Sequence, residues 1–126
     1  MKNLEDKLQE ACVKWFRYQY PDVVIFAIPN GGSRNPIEAA KLKRTGTLAG
    51  VADLFVMYPK FDQYAPVGWQ YASQLGLFIE LKVGKNKQTE LQRKFQKEAE
   101  QAGYTYKVCR SFDEFKWMVE DYLGQR

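Results

Sequence analysis

Asp53 lies in the run Ala52-Asp53-Leu54-Phe55-Val56-Met57, and Glu80 and Lys82 interrupt the run Leu77-Phe78-Ile79-Glu80-Leu81-Lys82-Val83. Both runs are oily enough to be strands of a buried sheet, where ionised groups are costly unless they pair or hold a metal. Side chains alternate along a strand, so Glu80 and Lys82 share one face while Ile79 and Leu81 turn to the core on the other. Two carboxylates and a backbone carbonyl are hard oxygen ligands, which favour Mg²⁺ or Mn²⁺ over zinc. A metal so held polarises a phosphoryl oxygen, lowers the pKa of a bound water and balances charge on the departing oxygen. A lysine two residues from a ligating glutamate is placed to orient or deprotonate the attacking water, or to stabilise the transition state. These residue types describe a phosphodiester hydrolase. The competing reading is a Glu80–Lys82 pair on an exposed strand face, worth roughly 0–1 kcal/mol. The position of both carboxylates inside apolar runs favours the chemistry.

What the chain lacks narrows the options. It contains no histidine, which excludes a Ser-His-Asp triad, a Cys-His nucleophile, a histidine zinc site and an imidazole base. Cys12 and Cys109 are far apart and match no paired-ligand spacing, so reduced core cysteines are expected rather than a disulfide or a structural zinc. The first residues show no signal-peptide pattern, and no segment approaches the roughly 20 apolar residues of a membrane span. A cytoplasmic chain is expected. With 126 residues and 45% hydrophobic composition, residues 1–126 should form one domain. The formal net charge is +4, and its distribution says more than its size. Arg34, Lys41, Lys43 and Arg44 form one basic segment and Lys82, Lys85, Lys87, Arg93, Lys94 and Lys97 a second, on either side of an acidic middle with Asp53 and Glu80. That layout suits a surface that gathers phosphates around a metal centre, although lysine-rich helices are also common as solvated faces.

The elements that must position these residues read α, β, α, β, β, α, β, α. Leu4, Leu8, Ala11, Cys12, Trp15 and Phe16 recur at helical spacing up to Pro21. Residues 23–28 form a β-branched run closed by Pro29-Asn30-Gly31-Gly32. Pro36 suits the first turn of a short helix that ends near Gly46. Strands are predicted over 51–58, 77–83 and 104–110, and helices over 89–102 and 112–123. The stretch 59–76 is read as a long connection containing Tyr64, Trp69 and Tyr71. Alternating strands and helices imply a mixed sheet with helices on both faces. The Asp53 and Glu80 strands, joined without a helix, should be antiparallel.

In this setting Glu5 and Gln9 on the first helix, Asn30-Gly31-Gly32, Gly50-Val51-Ala52-Asp53, Glu80-Leu81-Lys82 and Gln92 together resemble the VRR-NUC domain. That family of virus-type replication and repair nucleases belongs to the restriction-endonuclease-like PD-(D/E)xK superfamily, and the resemblance spans nearly the whole chain. It implies a restriction-endonuclease-like α/β fold and a Mg²⁺- or Mn²⁺-dependent DNA endonuclease acting in DNA repair. It further implies the stand-alone phage or bacterial type, a homodimer similar to Holliday-junction resolvases that works on branched DNA without a nucleotide cofactor. By the same resemblance Asp53 and Glu80 are the principal metal ligands, with the Leu81 backbone carbonyl beside them, and Lys82 is the catalytic lysine. Glu5 holds a metal-bound water or a second ion, and Gln92 fixes the lysine or the scissile phosphate. One departure is visible, since the family commonly has proline where this chain has Ala52.

Several of these residues also have plainer readings. Thr89-Glu90-Leu91-Gln92 is a capping box in which Gln92 caps its own helix, and Glu5 lies in a first helical turn that favours carboxylates anyway. Gln9, one turn on, is a partner of Glu5 or an ordinary surface residue. Lys85 and Lys87 follow the Glu80 strand in Val83-Gly84-Lys85-Asn86-Lys87, where Gly84 lets the backbone approach a phosphate. They and Arg34 are candidate DNA contacts, and Lys41, Lys43 and Arg44 could track a duplex backbone. For Arg93, Lys94 and Lys97 a solvated face is as good a reading. Phosphate contacts position a protein without reading sequence, so structure-selective cutting fits better than sequence-specific cutting. The aromatic connection stacks on unpaired bases, meets a dimer partner or, by default, covers a sheet edge. Two alternatives stay open: a DNA-binding module of this fold without turnover, and a sequence-specific restriction-type endonuclease.

Overall fold

The computed structural model describes residues 4–30 and 35–124. Its first helix, α1 (Leu4–Gln19), is followed by β1 (Val24–Ala27), α2 (Pro36–Arg44) and β2 (Leu54–Met57). After these come β3 (Lys60–Phe61), one 3₁₀ turn (Trp69–Tyr71), β4 (Ala72–Gln74), β5 (Leu77–Leu81), α3 (Glu90–Gln101), β6 (Thr105–Cys109) and α4 (Phe112–Leu123). Four strands form a mixed sheet in the order β1-β2-β5-β6. β1 and β2 pair antiparallel, as do β2 and β5, and only β5 and β6 run parallel. The parallel pair is joined through α3, as a crossover requires, whereas β1 and β2 run antiparallel although α2 lies between them.

Alternation along the strands sorts side chains into two layers. Ile25, Leu54, Val56, Leu77, Ile79, Leu81 and Cys109 face α1 and α4, where Cys12, Phe16, Phe115 and Val119 complete a buried cluster. On the opposite face aromatic rings run across the sheet. Phe26 meets Phe55 at 5.7 Å, Phe55 meets Phe78 at 4.7 Å, and Phe78 meets Phe95 of α3 edge-on at 5.1 Å. Helices therefore cover both faces, as read from the sequence. Among the described residues no helix is long and apolar enough to cross a membrane.

Local chemistry sets the boundaries. Ser111 caps α4 by accepting the Glu114 amide at 3.1 Å, and the helix spans the residues expected of it. Asn35 caps α2 with Pro36 in its first turn, but α2 buries none of its residues. β1 is a sheet edge, and Arg17 Nη2 donates to the outward Ile25 carbonyl at 3.0 Å, which blunts that edge against further pairing.

Two expectations are corrected. Asp53 stands one residue ahead of β2 instead of inside it. The register Leu54↔Ile79 would next pair Ala52 with Leu81, but the Leu81 amide donates to Asp53 Oδ2 at 2.7 Å. A side-chain oxygen has replaced the ladder, and the strand starts only after it. The connection 59–76 is not structureless, since β3 and β4 pair antiparallel within it. Nor do its rings all cover the sheet edge: Tyr64 is 90% and Trp69 78% exposed.

These environments predict opposite mutational costs. Leu54→Ala, at a fully buried position, should lose about 2–5 kcal/mol in urea unfolding. Tyr64→Ala should stay within about 0.5 kcal/mol. A loss for Tyr64→Ala as large as for Leu54→Ala would show the ring to be packed.

Candidate active site

The site forms where β2 begins and β5 ends. Continuing the Leu54↔Ile79 register by one step sets Asp53 opposite Glu80. The two carboxyls are close enough for each to act on the acidity of the other. Leu81 gives its amide to Asp53, and the Leu81 carbonyl leaves the strand on that same side. Beyond the end of β5, the Lys82 amide donates to the Cys109 carbonyl at 2.9 Å. That bond carries the strand geometry one residue further and fixes the base of the Lys82 side chain. Glu80 is 3% and Lys82 8% exposed, the buried charged residues of the described chain.

Glu80 is held from α3. Gln92 Nε2 donates to Glu80 Oε2 at 3.0 Å, while Gln92 Oε1 accepts the Thr89 amide at 2.9 Å and the Thr89 hydroxyl accepts the Gln92 amide at 3.1 Å. The capping box and the site contact, which look like rival roles in the sequence, are performed by one side chain. The cap fixes the amide group, and its free end points at the carboxylate. The start of α3 is itself docked against the turn before Asp53. Gly50 has φ +88°, and a Cβ there would lie 2.7 Å from the Leu91 backbone, so only glycine allows this approach.

The second oxygen, Glu80 Oε1, is buried with no hydrogen-bond donor. Such an orphan is expensive in a dry interior. The cause shows in the acidity of Glu80, whose pKa is pushed up to about 8 by burial first and by the Asp53 charge second. Burial also raises Asp53, against the lowering effect of the Leu81 amide. Glu5 and Lys82 both act on this pair through space, Glu5 disfavouring the ionised forms and Lys82 favouring them.

The remaining candidates are placed as follows. Glu5 is half-buried at the start of α1, where Asn86 Nδ2 donates to its Oε2 at 3.4 Å. It does not join Asp53 and Glu80 in a single cluster: among the described residues no group of three or more His, Cys, Asp or Glu side chains could hold a metal ion. Gln9 lines a shallow cavity with Asp6, Glu10, Val13, Arg17 and Ala27. Lys85 and Lys87 are exposed in the loop that leaves β5, and Lys43 and Arg44 are exposed at the end of α2. Arg34, with Gly31 and Gly32, lies outside the described residues. A cavity of about 600 Å³ between Tyr58, Lys60, Phe61 and Tyr122 lies at the opposite end of β2, remote from this chemistry.

Three participants escape sequence reading. Arg110 Nη1 donates to the Asn86 carbonyl at 2.7 Å and the Gly84 carbonyl at 3.3 Å. Asn86 links that loop to Glu5. Tyr106 on β6 has its pKa raised by burial first and by the nearby Glu80 charge second, and it accepts from Gln88 Nε2 at 3.3 Å. The usable signal was the register that sets Tyr106 beside Phe78, on the face that also carries Glu80.

The Glu80 shift has a definite sign. The folded protein keeps this proton up to about pH 8, whereas the unfolded chain releases it near the ordinary value of 4.5. Its stabilising effect is complete below about pH 4.5 and is lost as pH rises through about 8. In EDTA the melting temperature should fall across that window, and Glu80→Gln should flatten the fall. An unchanged profile in Glu80→Gln would contradict the assignment.

Comparison with known proteins identifies the family and the fold. The family model for the VRR-NUC domain matches residues 3–113. A solved structure described as a "VRR_NUC domain protein" superimposes with a TM-score of 0.71 over 99% of this chain and 94% of that one, at 25% sequence identity. No curated protein matches the chain. The chain belongs to the VRR-NUC domain family, nucleases of the PD-(D/E)xK type.

Proposed function

We propose that this protein is a Mg²⁺- or Mn²⁺-dependent, structure-selective DNA endonuclease, a single domain over residues 1–126 that works as a homodimer on branched DNA. The observation that carries the reading is the pairing of half-buried Asp53 with buried Glu80, whose Oε1 is left without a donor. The donor set fits a hard divalent cation: two carboxylates and the Leu81 carbonyl, with no histidine or thiolate beside them. Asp53, Glu80 and Leu81 would hold it, and Glu5, half-buried nearby, would accept a proton of a bound water. Such an ion supplies charge balance at a phosphoryl oxygen and a more acidic water.

The side chains do the rest. Lys82, fixed by the bond between its amide and Cys109, stands on the Glu80 face, where it orients the attacking water or neutralises the phosphate as charge develops on it. Gln92 keeps Glu80 in one rotamer, so that its other oxygen stays available to the ion. Lys85 and Lys87 contact the DNA backbone beside the cut, and Lys43, Arg44 and Arg34 extend that track. Branched DNA is favoured because all of these contacts are to phosphate and none reads a base. The homodimer follows from such a substrate, since paired incisions across a branch require two sites.

Incubation with a four-way junction, a flap and a linear duplex, each in Mg²⁺ or EDTA, tests the activity. Metal-dependent cleavage of branched substrates is expected, and no cleavage of any would sink the enzyme reading. Asp53→Ala should lower the rate by more than about a hundredfold, since even the partners of metal ligands are worth roughly ten- to a hundredfold. Junction binding should survive that change. A monomer bound to a junction in sizing experiments would contradict the dimer.

A further inference from the structure

The loop between β5 and α3 is exposed, yet it is tied at its back. It turns at Gly84, whose φ of +60° is left-handed, and the Asn86 amide returns to the Val83 carbonyl at 3.3 Å. Arg110 Nη1 grips the carbonyls on either side of Lys85, those of Gly84 and Asn86. Arg110 is anchored in turn, because its own amide donates to Glu114 Oε1 at 2.8 Å in the first turn of α4. At the front of the loop, the Asn86 side chain reaches Glu5. One guanidinium thus sets the backbone that presents Lys85 and the amide that contacts Glu5.

We infer that Arg110 is a positioning residue for DNA binding, acting through Lys85 and Lys87 and not by its own charge. The inference rests on the reading of those lysines as phosphate contacts. Its physical basis is preorganisation: a loop already held in its bound shape loses less freedom when the phosphate arrives, and affinity rises accordingly. Arg110 is suited to this because a planar guanidinium can bridge two carbonyls, whereas an ammonium is a compact point charge. Its Nη1 is already engaged by the two loop carbonyls.

The full chain, with a fluorescein-labelled DNA duplex in EDTA, provides the test. Arg110→Ala should weaken binding roughly five- to tenfold, but should cause no further loss in a Lys85→Ala/Lys87→Ala background, the signature of residues acting as one unit. Arg110→Lys, which keeps the charge, should bind like Arg110→Ala. Hydrogen exchange of the peptide covering residues 83–88 should speed up in Arg110→Ala while the melting temperature stays put. An equal loss in both backgrounds, or full rescue by lysine, would make Arg110 a direct phosphate contact and overturn the inference. So would unchanged binding or unchanged exchange in Arg110→Ala. If Lys85→Ala/Lys87→Ala itself binds normally, the phosphate reading of the lysines fails, and this inference falls with it.

Discussion

A carboxylate pair, Glu80 buried and Asp53 half-buried against it, is the constraint around which the rest of this molecule is arranged. Asp53 and Glu80 repel when ionised, and burial raises the proton affinity of each. A chain selected only for stability would replace such a pair with apolar groups. Here it is supported from three directions, by the Leu81 amide on Asp53, the Gln92 amide on Glu80 and the nearby Lys82 charge. One Glu80 oxygen remains without a donor. An electrostatic cost of this kind, held in place by the surrounding scaffold, is the pattern found at functional sites, and it is what the proposed cation would relieve.

The scaffold explains how the pair can be held. The strands that carry it are the two central ones, with α1 and α4 packed on one face and α3 on the other. The aromatic chain from Phe26 to Phe95 locks α3 onto the sheet, and the close approach at Gly50 fixes the start of that helix. Gln92 therefore reaches Glu80 from a rigid position, and second-row groups placed in this way commonly decide how well a metal ligand performs. The basic residues lie instead on the exposed loop after β5 and the exposed α2, where side chains can adjust to a nucleic acid backbone.

Much of this was legible in the residues, for reasons that can be stated. Strand alternation assigns Glu80 and Lys82 to one face whatever the details of the fold, and the Ser111 cap with Gly124 beyond the last turn marks both ends of α4. The start of β2 was not legible, because a side chain displaced the backbone ladder and no pattern of types announces such a competition. The β3–β4 pair was hidden by its size: two short strands with an irregular register leave no periodicity to detect. Arg110 was invisible for a deeper reason. Its partners are backbone carbonyls, which every residue has, and only the fold brings them to it. The Gln92 cap was legible in the residues, but its partner in the site was not: the resemblance points Gln92 to the lysine or the phosphate, and the fold brings its free end to Glu80.

Diffraction from crystals of the protein soaked in Mn²⁺, recorded at the manganese absorption edge, tests the central claim most directly. An anomalous peak between the Asp53 and Glu80 carboxylates, lost in crystals of Asp53→Asn, is the predicted result. No peak there at saturating Mn²⁺, or a peak that persists in Asp53→Asn, would contradict it.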